Sequence, residues 1–232
     1  MTKFASVAVN PMAGPPEVWS PYSREPLDFH ARLPGYAATP IVDAPTLAAR
    51  FGIGRLLVKC ESHRFGLPAF KMLGASWAIY RAIADLLGRE PGPWETLDDL
   101  ARTLRPMLPF RLAAATDGNH GRAVARMARL LGFNAIIFVP DGTTPSRISA
   151  IESERAVVTS VSGDYDAAVA RAAEEAGPRC LVISDTSWPG YNRVPRWVIE
   201  GYSTLFWEVD DALVASGPVS YTHLTLPTIL RV

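Results

Sequence analysis

The chain is poor in cysteine, carries no surplus of charge and lacks any long apolar run. Only two cysteines, Cys60 and Cys180, occur in 232 residues. Neither forms part of a CxxC pair or a disulfide framework, and each sits in an apolar run, so reduced, buried core thiols are expected. Twenty-three basic residues balance 23 acidic ones, which leaves no field to gather nucleic acid or coat a membrane, and neither partner is expected. No apolar run nears the roughly 18 residues that span a bilayer. The opening "MTKFASVAVNPMAGPPEVW" meets prolines early and sustains no apolar stretch. It makes a poor signal peptide, and a cytoplasmic location is expected. The phosphate turn G-x-G-x-x-G is also missing, which argues against a nucleotide-binding Rossmann protein.

What is present is an ordinary globular composition, 48% hydrophobic and 20% charged, with a regular alternation of elements. The first forty residues, rich in proline and aromatics, read as an irregular arm. After them, "RLLVKCE" (Arg55–Glu61) reads as a strand and Met72–Leu87 as a helix, with a second helix after "PGPWET". "RLAAAT" is strand-like, Asn119 to Leu131 has helical spacing stopped by Gly132, and "NAIIFVP" is an apolar strand buried on both faces. Further on come a helix opened by Pro145, the strand "AVVTSVS", a helix closed by Gly177, the strand "RCLVIS" and a long helix from "VPRW". Strands alternating with helices predict βαβ units, hence an α/β fold with a parallel sheet.

Two stretches carry chemistry. In "FGLPAFKMLGAS" a single lysine, Lys71, stands where an apolar loop becomes a helix. A desolvated lysine has a lowered pKa and becomes a nucleophilic amine; the plainer reading is a helix-end lysine with a buried stem and a wet head. In "ATDGNHGRAVA" a strand ends at Thr116 and a polar turn opens a helix. Ligands of parallel sheets bind at the carboxyl ends of strands, and helix N-termini offer amides to anions. Thr116, with the amides of Gly118 and Asn119, is therefore a candidate carboxylate or phosphate cradle; the plainer reading is an ordinary turn, because Asp, Gly and Asn are common turn residues.

These two stretches, followed by "SDTSWPGY", occur in the order and setting found in pyridoxal-phosphate enzymes of the tryptophan-synthase-β fold type. Within that group the chain most resembles the ammonia-lyases of 2,3-diaminopropionate, over roughly Leu33 to Leu213. The resemblance implies a two-domain fold: residues 41–77 and 185–218 belong to a larger cofactor-binding domain, incomplete here, and 78–184 form a smaller α/β domain. It implies pyridoxal 5'-phosphate as cofactor, bonded covalently by Lys71, with Asn119 on its phenolic oxygen. Thr116 and the turn amides, Gly118 included, match the group that grips the substrate carboxylate.

Asp117 stands where serine and threonine dehydratases of this fold carry a small residue. A carboxylate there suits a substrate with a second ammonium and also offers a base on the face opposite Lys71. Asp185 matches a second acid lining the pocket, although a turn or cap aspartate remains open. His120 is set aside, because a histidine at a helix start more often caps or orients than reacts. The activity implied is α,β-elimination of ammonia from 2,3-diaminopropionate to give pyruvate and ammonia, in an enzyme that is usually a dimer. The alternatives are a serine or threonine dehydratase of the same fold and a non-catalytic small-molecule-binding module. The family's glycine-rich phosphate loop and its pyridine-nitrogen partner find no counterpart in this sequence, so the chain as written is expected to be a poorly soluble, inactive piece. The tail "VSYTHLTLPTILRV" (219–232) breaks the pattern and reads as non-native.

Overall fold

Residues 23–215 are described by the structure, a computed structural model. The arm expected to be irregular over residues 1–40 contains a helix, α1 (Glu25–Ala31); residues 1–22 and the tail 219–232 lie outside the described part. Pro26 in the first turn and the acids Glu25 and Asp28 suit a helix start. Phe29 is buried edge-on against Trp77 and Trp94. Two turns are too few to register as a period, and tertiary burial holds this helix in place.

Next come β1 (Ile41–Asp43), α2 (Pro45–Phe51) and β2 (Leu57–Lys59). The strand expected over Arg55–Glu61 is therefore shorter. Its partner β1 runs antiparallel, with Val42 opposite Val58. Cys60, just beyond it, is half-buried rather than core; Cys180 is buried, and both thiols are free.

Helix α3 (Lys71–Leu87) follows, closed by the left-handed Gly88. Helix α4 (Leu97–Leu104) starts at a capping box in which Thr96 and Asp99 satisfy each other's amides. Strand β3 (Arg111–Ala115), α5 (Asn119–Leu131), β4 (Asn134–Pro140), α6 (Pro145–Glu152), β5 (Val157–Val161), α7 (Tyr165–Ala173) and β6 (Cys180–Val182) then alternate. The four strands form one parallel sheet in the order β5-β4-β3-β6. The strand order reverses at β3, so the turn after β3 lies at a switch point where such sheets bind ligands. Helix α7 ends before the stop expected at Gly177, which instead bridges to Cys180.

Helix α8 (Arg193–Ala215) packs along α3. The two backbones touch through glycines: a β-carbon on Gly201 would stand 2.5 Å from the Leu73 carbonyl oxygen and 2.9 Å from the Gly74 α-carbon. Helix α3 crosses the division expected between residues 77 and 78 without a break.

His30 pins α1 into this junction. Its Nδ1 lies 2.8 Å from the Thr204 hydroxyl on α8, and its Nε2 2.9 Å from the Leu73 carbonyl in the first turn of α3. Complete burial holds the ring neutral and pushes its pKa from 6.5 down to about 3. The unfolded chain thus binds this proton below pH 6.5, whereas the folded chain refuses it until about pH 3. Stability should fall as pH drops through that window, by on the order of a few kcal/mol from this group. Urea midpoints measured against pH should flatten in His30→Gln, and an unchanged slope would refute the assignment.

Candidate active site

The side chain of Lys71 leaves the first turn of α3 for the carboxyl end of the sheet, where the segment after β6 supplies Asp185. Lys71 Nζ lies 3.0 Å from Asp185 Oδ2. The Phe70 and Tyr202 rings, packed edge to face on each other, lie to one side of it, each centroid 5.7 Å from Nζ. The expectation of a dry amine with a lowered pKa is corrected here: 31% of the side chain remains exposed, and its pKa is raised. Burial pulls that pKa down, but Tyr202 and the Asp185 carboxylate more than offset it. Lys71 rests as an ammonium.

Asp185 is not a turn cap. The turn is closed by Ser184, whose hydroxyl accepts the Thr186 amide at 3.1 Å. Its own carboxylate takes Lys71 on Oδ2 and the Tyr165 hydroxyl on Oδ1, the latter at 3.3 Å. Burial works against its ionisation, but His120 and Lys71 outweigh it and hold the carboxyl at about 2.

The turn after β3 is built by a close approach. A β-carbon on Gly121 would stand 2.3 Å from the Thr116 methyl, so only glycine lets α5 begin so near the strand. Thr116 is buried, and its hydroxyl oxygen accepts the Gly118 amide at 2.9 Å. The expected cradle is thereby altered: the Gly118 N–H is engaged within the turn, and Thr116 has its hydroxyl proton to offer. Asp117 is exposed, with Arg147 bonded to its carbonyl at 3.0 Å and 3.9 Å from its carboxylate. Asn119, the first residue of α5, is exposed.

Two tyrosines escaped the sequence reading, and His120, set aside there as a capping or orienting residue, also stands at the site. His120 is buried, with Nε2 2.8 Å from the Ile183 carbonyl and Nδ1 3.7 Å from Asp185 Oδ2. Burial pushes the Tyr165 hydroxyl up to about 12, with Asp185 and Asp117 adding to the effect. Burial likewise pushes Tyr202, beside Lys71, up to about 12. No motif marks the tyrosines; helices distant in sequence bring them in. The structure thus joins Lys71, Asp185, His120, Tyr165 and Tyr202 at one point, with Asp117 near enough to act on Tyr165 through its charge.

A family model described as "Pyridoxal-phosphate dependent enzyme" matches residues 32–227. The chain belongs to that family. Diaminopropionate ammonia-lyase from Escherichia coli K12 is 38% identical over 201 residues, covering 85% of this chain and 49% of the relative. That from Salmonella typhimurium LT2 is 36% identical over 208 residues, covering 87% and 50%. The crystal structure of the E. coli enzyme in complex with D-serine superposes with a TM-score of 0.79 at 34% identity, covering 88% of this chain and 53% of that one. The chain spans about half the length of the curated relatives it matches.

The site fits the family's cofactor at its aldehyde end. A primary amine reachable from solvent stands beside the Phe70 and Tyr202 rings, and the buried Nδ1 of His120 has no hydrogen-bond partner. Buried polar atoms left open in this way call for a polar guest. Among the described residues no cluster of His, Cys, Asp or Glu is placed to hold a metal, and no helix is long and apolar enough to cross a membrane.

Proposed function

We propose that this chain carries the amine and substrate-reading side of a pyridoxal-phosphate ammonia-lyase that eliminates ammonia from 2,3-diaminopropionate to give pyruvate. The observation that carries the reading is the Asp185 carboxylate on Lys71, with a second carboxylate, Asp117, at the turn after β3. Asp185 bonds the amine directly, and Asp117 stands exposed at the switch-point turn. A substrate with two ammonium groups is favoured there over a hydroxy-amino acid. Bound cofactor supplies an electron sink for the charge left at Cα.

The chain's residues do the rest. Lys71, once deprotonated, removes the Cα proton from one face, and Asp117 offers a base on the other. Thr116 and the amides of the turn orient the substrate carboxylate, and Asn119 holds the cofactor's phenolic oxygen. Tyr165, kept protonated at neutral pH by its raised pKa, is a proton source beside Asp185. A cytoplasmic homodimer, and a smaller domain (78–184) set between pieces of a larger one (41–77 and 185–218), belong to the same reading.

The test is a chimera in which residues 33–213 replace the matching half of the E. coli relative. It should release pyruvate and ammonia from 2,3-diaminopropionate and far less from serine or threonine. Asp117→Asn should lower the rate on one enantiomer by about 10²-fold or more and spare the other. Equal losses, or elimination from serine as fast as from diaminopropionate, would sink the reading.

A further inference from the structure

His120 and Lys71 face the same oxygen of the same carboxylate. Nζ lies 3.0 Å and Nδ1 3.7 Å from Asp185 Oδ2. The other ring nitrogen of His120 settles the tautomer. Nε2 lies 2.8 Å from the Ile183 carbonyl, which can only accept, so Nε2 carries the hydrogen. A neutral His120 then aims the lone pair of Nδ1 at an anionic oxygen, in a buried position with no donor to satisfy it. Burying two acceptors against each other is unfavourable, and one proton on Nδ1 removes the conflict.

We propose that His120 is a positioning residue that alternates with Lys71 as the cationic partner of Asp185. While Lys71 is an ammonium, it is the cation that neutralises Oδ2 of Asp185. When Lys71 gives up its charge to act as an amine, the N–H bond at Nζ breaks and one forms at His120 Nδ1. The proton count and the net charge of the three residues stay constant. Asp185 therefore remains ionised and in place while the lysine reacts, with no bare carboxylate left in a largely buried site.

The groups facing this carboxylate come from four helices and one turn. Lys71 on α3, His120 on α5, Tyr165 on α7 and Tyr202 on α8 surround it, and Asp117, paired with Arg147, acts from the turn before α5. Burial keeps the two tyrosines protonated through neutral pH.

The inference deepens the site proposed above and rests on that reading only for its use in turnover. Its test is the titration of ring-labelled histidine in the full chain by NMR. The chain has four histidines, and His120 is assigned by the signal lost in His120→Gln. Lys71→Met should raise the His120 midpoint by about one pH unit, and Asp185→Asn should lower it by a similar amount. Lys71→Gln repeats the first measurement with a polar side chain. A His120 midpoint unmoved by both lysine substitutions overturns the proposal, because the exchange requires the lysine charge to act on the imidazole. Nitrogen shifts in the unmodified chain give a check free of substitutions: an Nδ1–H, Nε2-bare neutral tautomer would also overturn it. No substrate is used, so failure here leaves ammonia elimination standing, and a chimera without lyase activity leaves the charge exchange standing.

Discussion

Replacing Lys71 with alanine should abolish covalent capture of pyridoxal phosphate. Borohydride reduction of the chain with the cofactor, followed by peptide mapping, is expected to place the label on the Lys71 peptide alone. The competition is small, because the sequence has just three lysines, Lys3, Lys59 and Lys71. Lys59 is already committed: its Nζ donates to Glu208 at 2.6 Å and to the Thr39 carbonyl at 2.5 Å. Lys71 differs in being reachable from solvent and in leaning on aromatic faces, on which a planar ring can lie. In the chimera, Lys71→Ala should lower elimination by on the order of 10³-fold or more, because nucleophile and base are lost together. Label on Lys59, or label retained by Lys71→Ala, would remove the amine from the proposed role. Asp185→Asn provides a signed companion. It removes an anion that holds the ammonium, so the pH at which Lys71 becomes half-labelled should move down.

The candidate turn and the candidate lysine could be singled out in the sequence, but the electrostatics around them could not. The turn Thr116–Gly121 and the helix Asn119–Leu131 could be read because local rules decide them: a glycine is needed for the close approach at Gly121, and the left-handed Gly132 closes the helix. Lys71 stood out because its neighbours are apolar, and Met72 and Leu73 are indeed buried. The state of its amine could not be read the same way. That state depends on Asp185, which a parallel crossover delivers from a distant part of the chain, and on Tyr202, which faces Lys71 only because Gly74 and Gly201 let two helices touch. His120 was visible at the helix start, but its partner, again Asp185, was not. The antiparallel pairing of β1 with β2 was hidden for a different reason: three-residue strands are too short to display a period of two.

Glu208→Ala should cost about 3–5 kcal/mol of stability, the usual penalty for leaving a buried cation unpaired. Glu208 sits on α8, and its side chain is 2% exposed. It accepts both Arg64 Nη1 and Nη2 at 2.7 Å, Lys59 at 2.6 Å and the Tyr36 hydroxyl at 2.9 Å. Arg64 is itself fully buried, and beyond this carboxylate its main ionic partner is Glu61 at 2.6 Å. The four charges cancel, so removing one leaves a surplus cation in a dry place. Glu208→Gln keeps the shape and part of the bonding and should lose less. A urea midpoint shift equal in the two variants would mean that packing, not charge, is what the residue contributes.

The sign with pH follows from the same contacts. Burial raises the Glu208 pKa, but the bonds from Arg64 and Lys59 outweigh it and hold it below the ordinary value of 4.5. Its stabilisation is therefore complete above that ordinary value and is lost as pH falls through the lowered one. The effect extends beyond stability, because α8 also carries Tyr202. The network fastens α8 to the segment Tyr36–Arg64 that leads into Lys71, so loosening it should disturb the lysine as well. Glu208→Ala is expected to slow borohydride labelling at Lys71 even where the chain remains folded, whereas exposed Asp211→Ala, which breaks only the surface pair with Arg24, should leave labelling unchanged.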